Sequence, residues 1–214
     1  MSLSPSSVRL PVLYFVRSRW TLRTGVILLA LLALSYCLQG QNIGVPFVPG
    51  DAVVRSSPLL PVILTIPLAG ATATAMATLE SMVASSRLTG ARLFWALVLT
   101  VVAVGLAAAA ASGAEEAGTV ATAARNAAAF LGAGLAGAAL LGADLAWLPS
   151  CLLALCTFFF GKNIDNEVRG WAWLLHPAAD SAATVISIGL LVSGGGLFAL
   201  LDSSGWLRRK AAIG

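Results

Sequence analysis

Residues 93–114 read LFWALVLTVVAVGLAAAAASGA, with Arg92 before them, Glu115 after them and no charge between. An α-helix rises about 1.5 Å per residue and a bilayer core is about 30 Å thick, so about 20 apolar residues cross it. The stretch predicts a membrane-spanning helix. The rest of the 214-residue chain agrees: 58% of it is hydrophobic, 10% is charged, and the mean hydropathy is +0.90. Soluble domains are roughly a quarter charged. Thirteen basic and nine acidic residues cannot cover a soluble core of this size, so lipid is the implied solvent.

Working outward, further charge-free runs occupy 24–50, 56–79, 126–143, 145–161 and 181–201. The expected fold is an all-α membrane protein with six spans, at about 24–40, 57–77, 92–113, 125–143, 147–161 and 180–202. QNIGVPFVPGD (41–51) is rich in Gly and Pro and reads as the loop that ends the first span. Pro61 and Pro67 should bend the second. The fifth is short, and GADLAWLPS (142–150) reads as the turn before it. The alternative is one long broken helix, which leaves five crossings and puts the termini on opposite sides.

Short cytoplasmic loops carry the excess of Arg and Lys. With six spans and both ends inside, the inner face holds Arg9, Arg17, Arg19, Arg23, Arg87, Arg92, Arg208, Arg209 and Lys210. The outer face holds Arg55, Arg125, Lys162 and Arg169, together with Asp51, Glu115, Glu116, Asp165, Glu167 and Asp180. The asymmetry predicts a multi-pass protein of the cell membrane with both termini cytoplasmic, 203–214 forming a basic tail. The start, 1–23, lacks a small-x-small cleavage site after LLALSYCLQG and is expected to be retained. Val12, Val16 and Trp20 recur at a spacing of four, with Arg19 and Arg23 on another side and Arg17 nearby. That pattern suits a helix lying in the inner interface, or else a basic flank that only sets orientation.

The basic residues sit at the ends of apolar runs, not on a polar face interleaved with aromatics, so nucleic acid is not an expected partner. FFFGKN (158–163) lacks the first glycine and the Ser or Thr of a phosphate-binding loop, so the chain is not expected to be an ATPase or to carry a cofactor. His176 is the single histidine and has no partner at metal-ligand spacing. Ser193 and His176 would lie about 25 Å apart on one helix, too far for a serine-protease pair. Cys37, Cys151 and Cys156 lie in apolar runs and read as small buried hydrophobes. Asp144 and Asp202 fall at the inner boundary, and the near absence of charge within the spans argues against a carboxylate relay.

Gly134, Ala138 and Gly142 repeat small residues every fourth position, with Gly132 and Gly137 beside them. They would serve close helix packing within one bundle, or a dimer face. Two polar segments remain. Outside, GKNIDNEVRGWAWLLHPAAD (161–180) joins a charged half to an amphipathic one, with Trp171 and Trp173 suited to the headgroup zone and short re-entrant helices expected. Inside, ATLESMVASSRLTGAR (77–92) read as a helix puts Leu79, Met82, Val83 and Ser86 on one side and Glu80, Ala84 and Arg87 on another. It would offer a polar face to a soluble partner, or be a solvated loop whose arginines set topology.

This layout resembles the membrane subunit of ABC-2 type ABC transporters, in a small form. The echoes are LES (79–81) followed by Arg87 and Arg92, ARN (124–126) at the fourth span, and WAWLLHPAAD (171–180) before the last. The resemblance implies that 77–90 is a coupling helix in a groove of a separate ATPase, with Leu79, Glu80, Ser81, Met82, Arg87 and Arg92 at the contact. Arg17, Arg19, Trp20 and Arg23 would add to it from the N-terminal helix. A second permease subunit, identical or homologous, would complete the path, and ATP and Mg would sit on the partner ATPase. Competing readings are a six-span substrate-capturing component of a vitamin-type uptake system, a membrane-embedded enzyme, and a non-catalytic membrane partner subunit.

Overall fold

The structure, a computed structural model, describes residues 19–38, 42–44, 53–55, 58–68, 85–114, 118–163, 165 and 167–201. Helix α1 is Arg19–Cys37, and the paired three-residue strands β1 (Asn42–Gly44) and β2 (Val53–Arg55) follow, antiparallel with Ile43 opposite Val54. Residues 61–68 form α2. Then come α3 (Ser85–Ala111), α4 (Thr119–Leu141), α5 (Leu148–Phe160) and α6 (Ser181–Leu200). Among the described residues the architecture is helical apart from that small ribbon and an isolated bridge between Lys162 and Val168.

Among the described residues, three helices are long and apolar enough to cross a membrane: Arg92–Ala111 within α3, then α4 and α6. The short stretch expected at 147–161 is occupied by the 13-residue α5, about 20 Å long. Pro149 stands in its first turn, where a missing N–H costs nothing, and Gly161 is its C-cap. The first expected span falls in α1, whose described side chains from Val26 to Cys37 form an apolar helix. Three helices of spanning length are what the described residues contain.

Two helices also begin earlier than their apolar runs. α3 runs from Ser85, so residues 85–92, the second half of the 77–92 stretch, are continuous with the apolar helix, and 77–84 lie outside the described residues. α1 starts at Arg19, which makes Arg19, Trp20 and Arg23 part of the same helix as the apolar run. Neither junction carries a proline or a run of turn residues that would stop a helix. Leu79, Glu80, Ser81, Met82 and Arg17 lie outside the described residues, as do the side chains of Arg19, Trp20, Arg23 and Arg87 and the tail 203–214.

α4 is the axis of the bundle, buried almost continuously from Ala123 to Ala139 and packed by α3, α5 and α6. Its small residues explain why. A Cβ on Gly194 of α6 would stand 2.0 Å from the carbonyl oxygen of Gly132, and one on Gly132 would stand 2.5 Å from that of Leu190. The two backbones touch because neither position has a side chain, and dispersion then acts across the whole seam. The main apolar cluster lies around Leu131, Leu135 and Ala138 with Leu99, Ala103 and Phe198. Along α3, Ala96, Leu99, Ala103 and Ala107 face inward, while Leu93, Phe94, Leu97 and Val101 are more than half exposed. α6 repeats this: Ala183, Ser187, Gly194 and Phe198 are buried, and Val185, Val192 and Leu200 are open. Apolar faces of this extent require a non-aqueous neighbour.

Candidate functional site

Among the described residues, the two buried charged side chains, Arg92 and Arg125, lie at opposite ends of the bundle. One end is organised by Arg125 and Asn126, in the second turn of α4. Both are buried, Asn126 fully. The Asn126 amide donates to the carbonyl oxygens of Pro58 and Leu174, each at 2.8 Å. The Arg125 Nε donates to the Asn126 side-chain oxygen at 3.1 Å. The two terminal nitrogens of Arg125 reach the carbonyls of Pro177 (3.0 Å), His176 (2.9 Å) and Trp173 (3.2 Å), with Leu174 at 3.5 Å.

The Trp173 and Pro177 carbonyls also accept the backbone N–H groups of His176 (3.2 Å) and Asp180 (3.1 Å), so Arg125 takes a second lone pair there, and Trp173–Leu175 is a single 3-10 turn with no following helix to engage the Leu174 and His176 carbonyls. A planar guanidinium with five donors fits such a fan of acceptors. The loop is thereby bound to α4 and, through Pro58, to the entry of α2. The rest of 161–180 fits this frame: Ala172 and Leu174 are buried, and Leu174 packs with Ala129 and Phe130. The expected re-entrant short helices reduce, among the described residues, to this one turn. Trp171 is exposed and Trp173 half-buried.

Next in the loop, His176 Nδ1 meets the Asp180 carboxylate, and Nε2 lies 3.4 Å from the carbonyl of Arg169. The other Asp180 oxygen accepts from the backbone N–H of Ala182 (2.9 Å) and Ala183 (3.1 Å), which caps α6. The hydrogen bond from His176 and those two N–H groups hold the Asp180 carboxyl below the ordinary carboxylate range. Asp180 also attracts Arg125 electrostatically. His176 and Ser193 do not meet: the Ser193 hydroxyl donates within its own helix to Leu190 at 3.2 Å.

The other end is organised by Arg92, in α3. It is buried, and its guanidinium donates to the carbonyl of Leu201, the C-cap of α6, at 2.8 Å. A cation there satisfies an end carbonyl and opposes the negative end of the helix dipole. Arg92 and the level of Arg125 are separated by about 25 Å along the axis of α3, close to the thickness of a bilayer core. Arg125 sits low on α4 beside Ala123 and Ala127, which pack against Ala107 and Ala111 at the far end of α3 from Arg92.

Of the expected packing residues, Gly134 and Ala138 are buried in α4. Gly142 is not in the helix: it follows Leu141 with φ +90°, in open space, and terminates α4 before the turn 143–147. The close approaches fall to Gly132, Gly194 and Gly137, the last against Ala146 and Pro149. The Arg92 cap and the Arg125–Asn126 clamp were not legible as contacts. The available signals were a polar pair at the start of an apolar run and an Asp directly before another. No family model matches the chain, and neither a curated protein nor a solved structure matches it.

Proposed function

We propose that this chain is the membrane-embedded permease subunit of an ATP-driven exporter. In that reading it pairs with a second permease subunit, and a separate ATPase docks on 77–90 from the cytoplasm. Three apolar helices of spanning length support membrane insertion, and the resemblance of layout and short motifs supports the class. The observation that carries the reading is the continuity of α3 from Ser85 together with the Arg92–Leu201 contact. A force applied to 77–90 by a motor enters a rigid helix, and Arg92 passes it to the end of α6. α6 in turn lies backbone to backbone on α4, so the whole bundle would respond.

Six crossings of the cell membrane with both termini cytoplasmic complete the reading, with α1, α2 and α5 supplying the shorter segments. No step of ATP chemistry falls to this chain. Its residues transmit and guide, and ATP with Mg would be bound by the partner.

The test is copurification of the full chain with its ATPase, and ATP hydrolysis measured in proteoliposomes with and without this subunit. Glu80→Ala and Arg87→Ala are expected to lose stimulation of hydrolysis while inserting normally. Unchanged copurification and stimulation in the double variant would refute docking at 77–90.

A further inference from the structure

His176 is the single histidine of the chain, and each nitrogen of its ring faces an oxygen. Nδ1 meets one oxygen of the Asp180 carboxylate, and Nε2 lies 3.4 Å from the carbonyl of Arg169. That carbonyl already accepts from the Ala172 N–H at 2.9 Å and has a second lone pair for the ring. A neutral imidazole carries one N–H and can donate to only one of its two neighbours. The carboxylate is the stronger acceptor and takes it, which leaves a bare Nε2 beside a carbonyl with no hydrogen between them. The imidazolium has a donor for each.

The ring also stands where three parts of the fold meet. The backbone carbonyl of His176 accepts from Arg125 of α4 at 2.9 Å. Asp180 serves the ring with one carboxylate oxygen and caps α6 with the other, through Ala182 and Ala183, so the two contacts do not compete. We infer that His176 is a proton-operated latch, which on gaining a proton ties Arg169 to Asp180 and tightens the loop 169–180 on the start of α6.

The surrounding charges set the direction. Among the described residues, the acid facing the ring is Asp180, from the start of α6. The nearest cation is Arg125 from α4, whose terminal nitrogens are engaged by the carbonyls of Trp173, Leu174, His176 and Pro177 and which is itself drawn to Asp180. The Arg169 guanidinium turns to the Asn163 side chain at 3.1 Å. Lys162, Asp165 and Glu167 are the other charges of the loop, and α2 and α5 bring none. Hydrogen bonds from His176 and two backbone N–H groups hold the Asp180 carboxyl below the ordinary carboxylate range. It therefore stays ionised across the interval of about pH 5 to 8 in which histidine changes charge. A proton added to His176 meets an anion on one side and an acceptor on the other, so the latch closes as the pH falls through that interval. Both side chains are about a quarter exposed, 23% and 25%, so solvent screens part of the gain.

The experiment uses the full chain in phosphatidylcholine nanodiscs, where both membrane faces share one pH and the lipid does not titrate in the interval. Amide exchange is followed by mass spectrometry at about pH 5.5 and about pH 8, with labelling times scaled for the intrinsic pH dependence of exchange. Protection of 169–183 is expected to be about threefold greater at the lower pH, the size of a partly exposed ion pair, with that of 128–140 in α4 unchanged. His176→Gln keeps a polar side chain but has no proton to gain, and the Arg125 and Asn126 contacts to backbone carbonyls remain to hold the loop. It should lose the pH response. Asp180→Asn keeps a cap for α6 and should lose it as well. Equal protection of 169–183 at both pH values, greater protection at the higher one, or a response that persists undiminished in His176→Gln would each overturn the latch.

Discussion

Arg92 and Leu201 are 109 residues apart in sequence and 2.8 Å apart at the guanidinium and the carbonyl oxygen. The contact ties the start of one spanning helix to the end of another and places a buried cation where α6 has run out of its own N–H donors. Arg92→Leu removes a cation from the half-buried Leu201 carbonyl and is expected to destabilise the bundle by about 2 kcal/mol, against about half that for Arg92→Lys, which keeps the charge but not the fork. Unfolding in mixed detergent–denaturant titrations, followed by helix signal, measures both. Equal stability of all three proteins would remove Arg92 as a helix cap.

At the opposite end, Asn126 bridges the Pro58 and Leu174 carbonyls and accepts from Arg125. Asn126→Leu leaves two buried acceptors and one donor without this partner, a cost of about 3 kcal/mol. The loss should be local before it is global. Amide exchange is expected to accelerate first at 172–180, ahead of α4, and exchange mass spectrometry reads the order.

Gly194 faces the Gly132 carbonyl so closely that any Cβ must push the helices apart. Gly194→Ala should cost about 2 to 3 kcal/mol, as an overpacked core does. Gly105→Ala on α3 meets nothing within 4 Å and should be neutral or stabilising by up to about 1 kcal/mol, since alanine is the better helix former. Thermal unfolding of the pair separates close packing from propensity.

Asp180 carries a pH dependence of known sign. Its folded carboxyl titrates below the unfolded one, so its contribution is complete above the ordinary carboxylate range and disappears as the pH falls through the folded value. The melting temperature of the native protein should therefore exceed that of Asp180→Asn at neutral pH, and the gap should close in acid. A gap that persists undiminished at pH 2 to 3 would show that the cap does not depend on the charge.

Much of the secondary structure was legible because it follows from local chemistry. An uncharged run such as 93–114 has one low-energy form in lipid, and GADLAWLPS announces the turn before α5 through Gly142 and Pro149. Asp180 before an apolar run is a cap that spacing alone suggests. The helix starts at Ser85 and Arg19 were not legible, because charge marks where an apolar surface stops and a helix continues wherever nothing breaks it. Small residues at every fourth place likewise told that α4 packs closely, without telling which of them make the contact.

Alone, the sequence determined that this chain is apolar, helical and suited to a membrane, since those properties are sums over residues. Only the tertiary structure decided that α4 is the axis, that Gly132 meets Gly194, that Arg92 caps α6, and that Arg125 gathers the carbonyls of a loop about fifty residues away. Those depend on pairs distant in the chain, and a buried hydrogen-bonding group carries no mark of its partner until packing brings the two together.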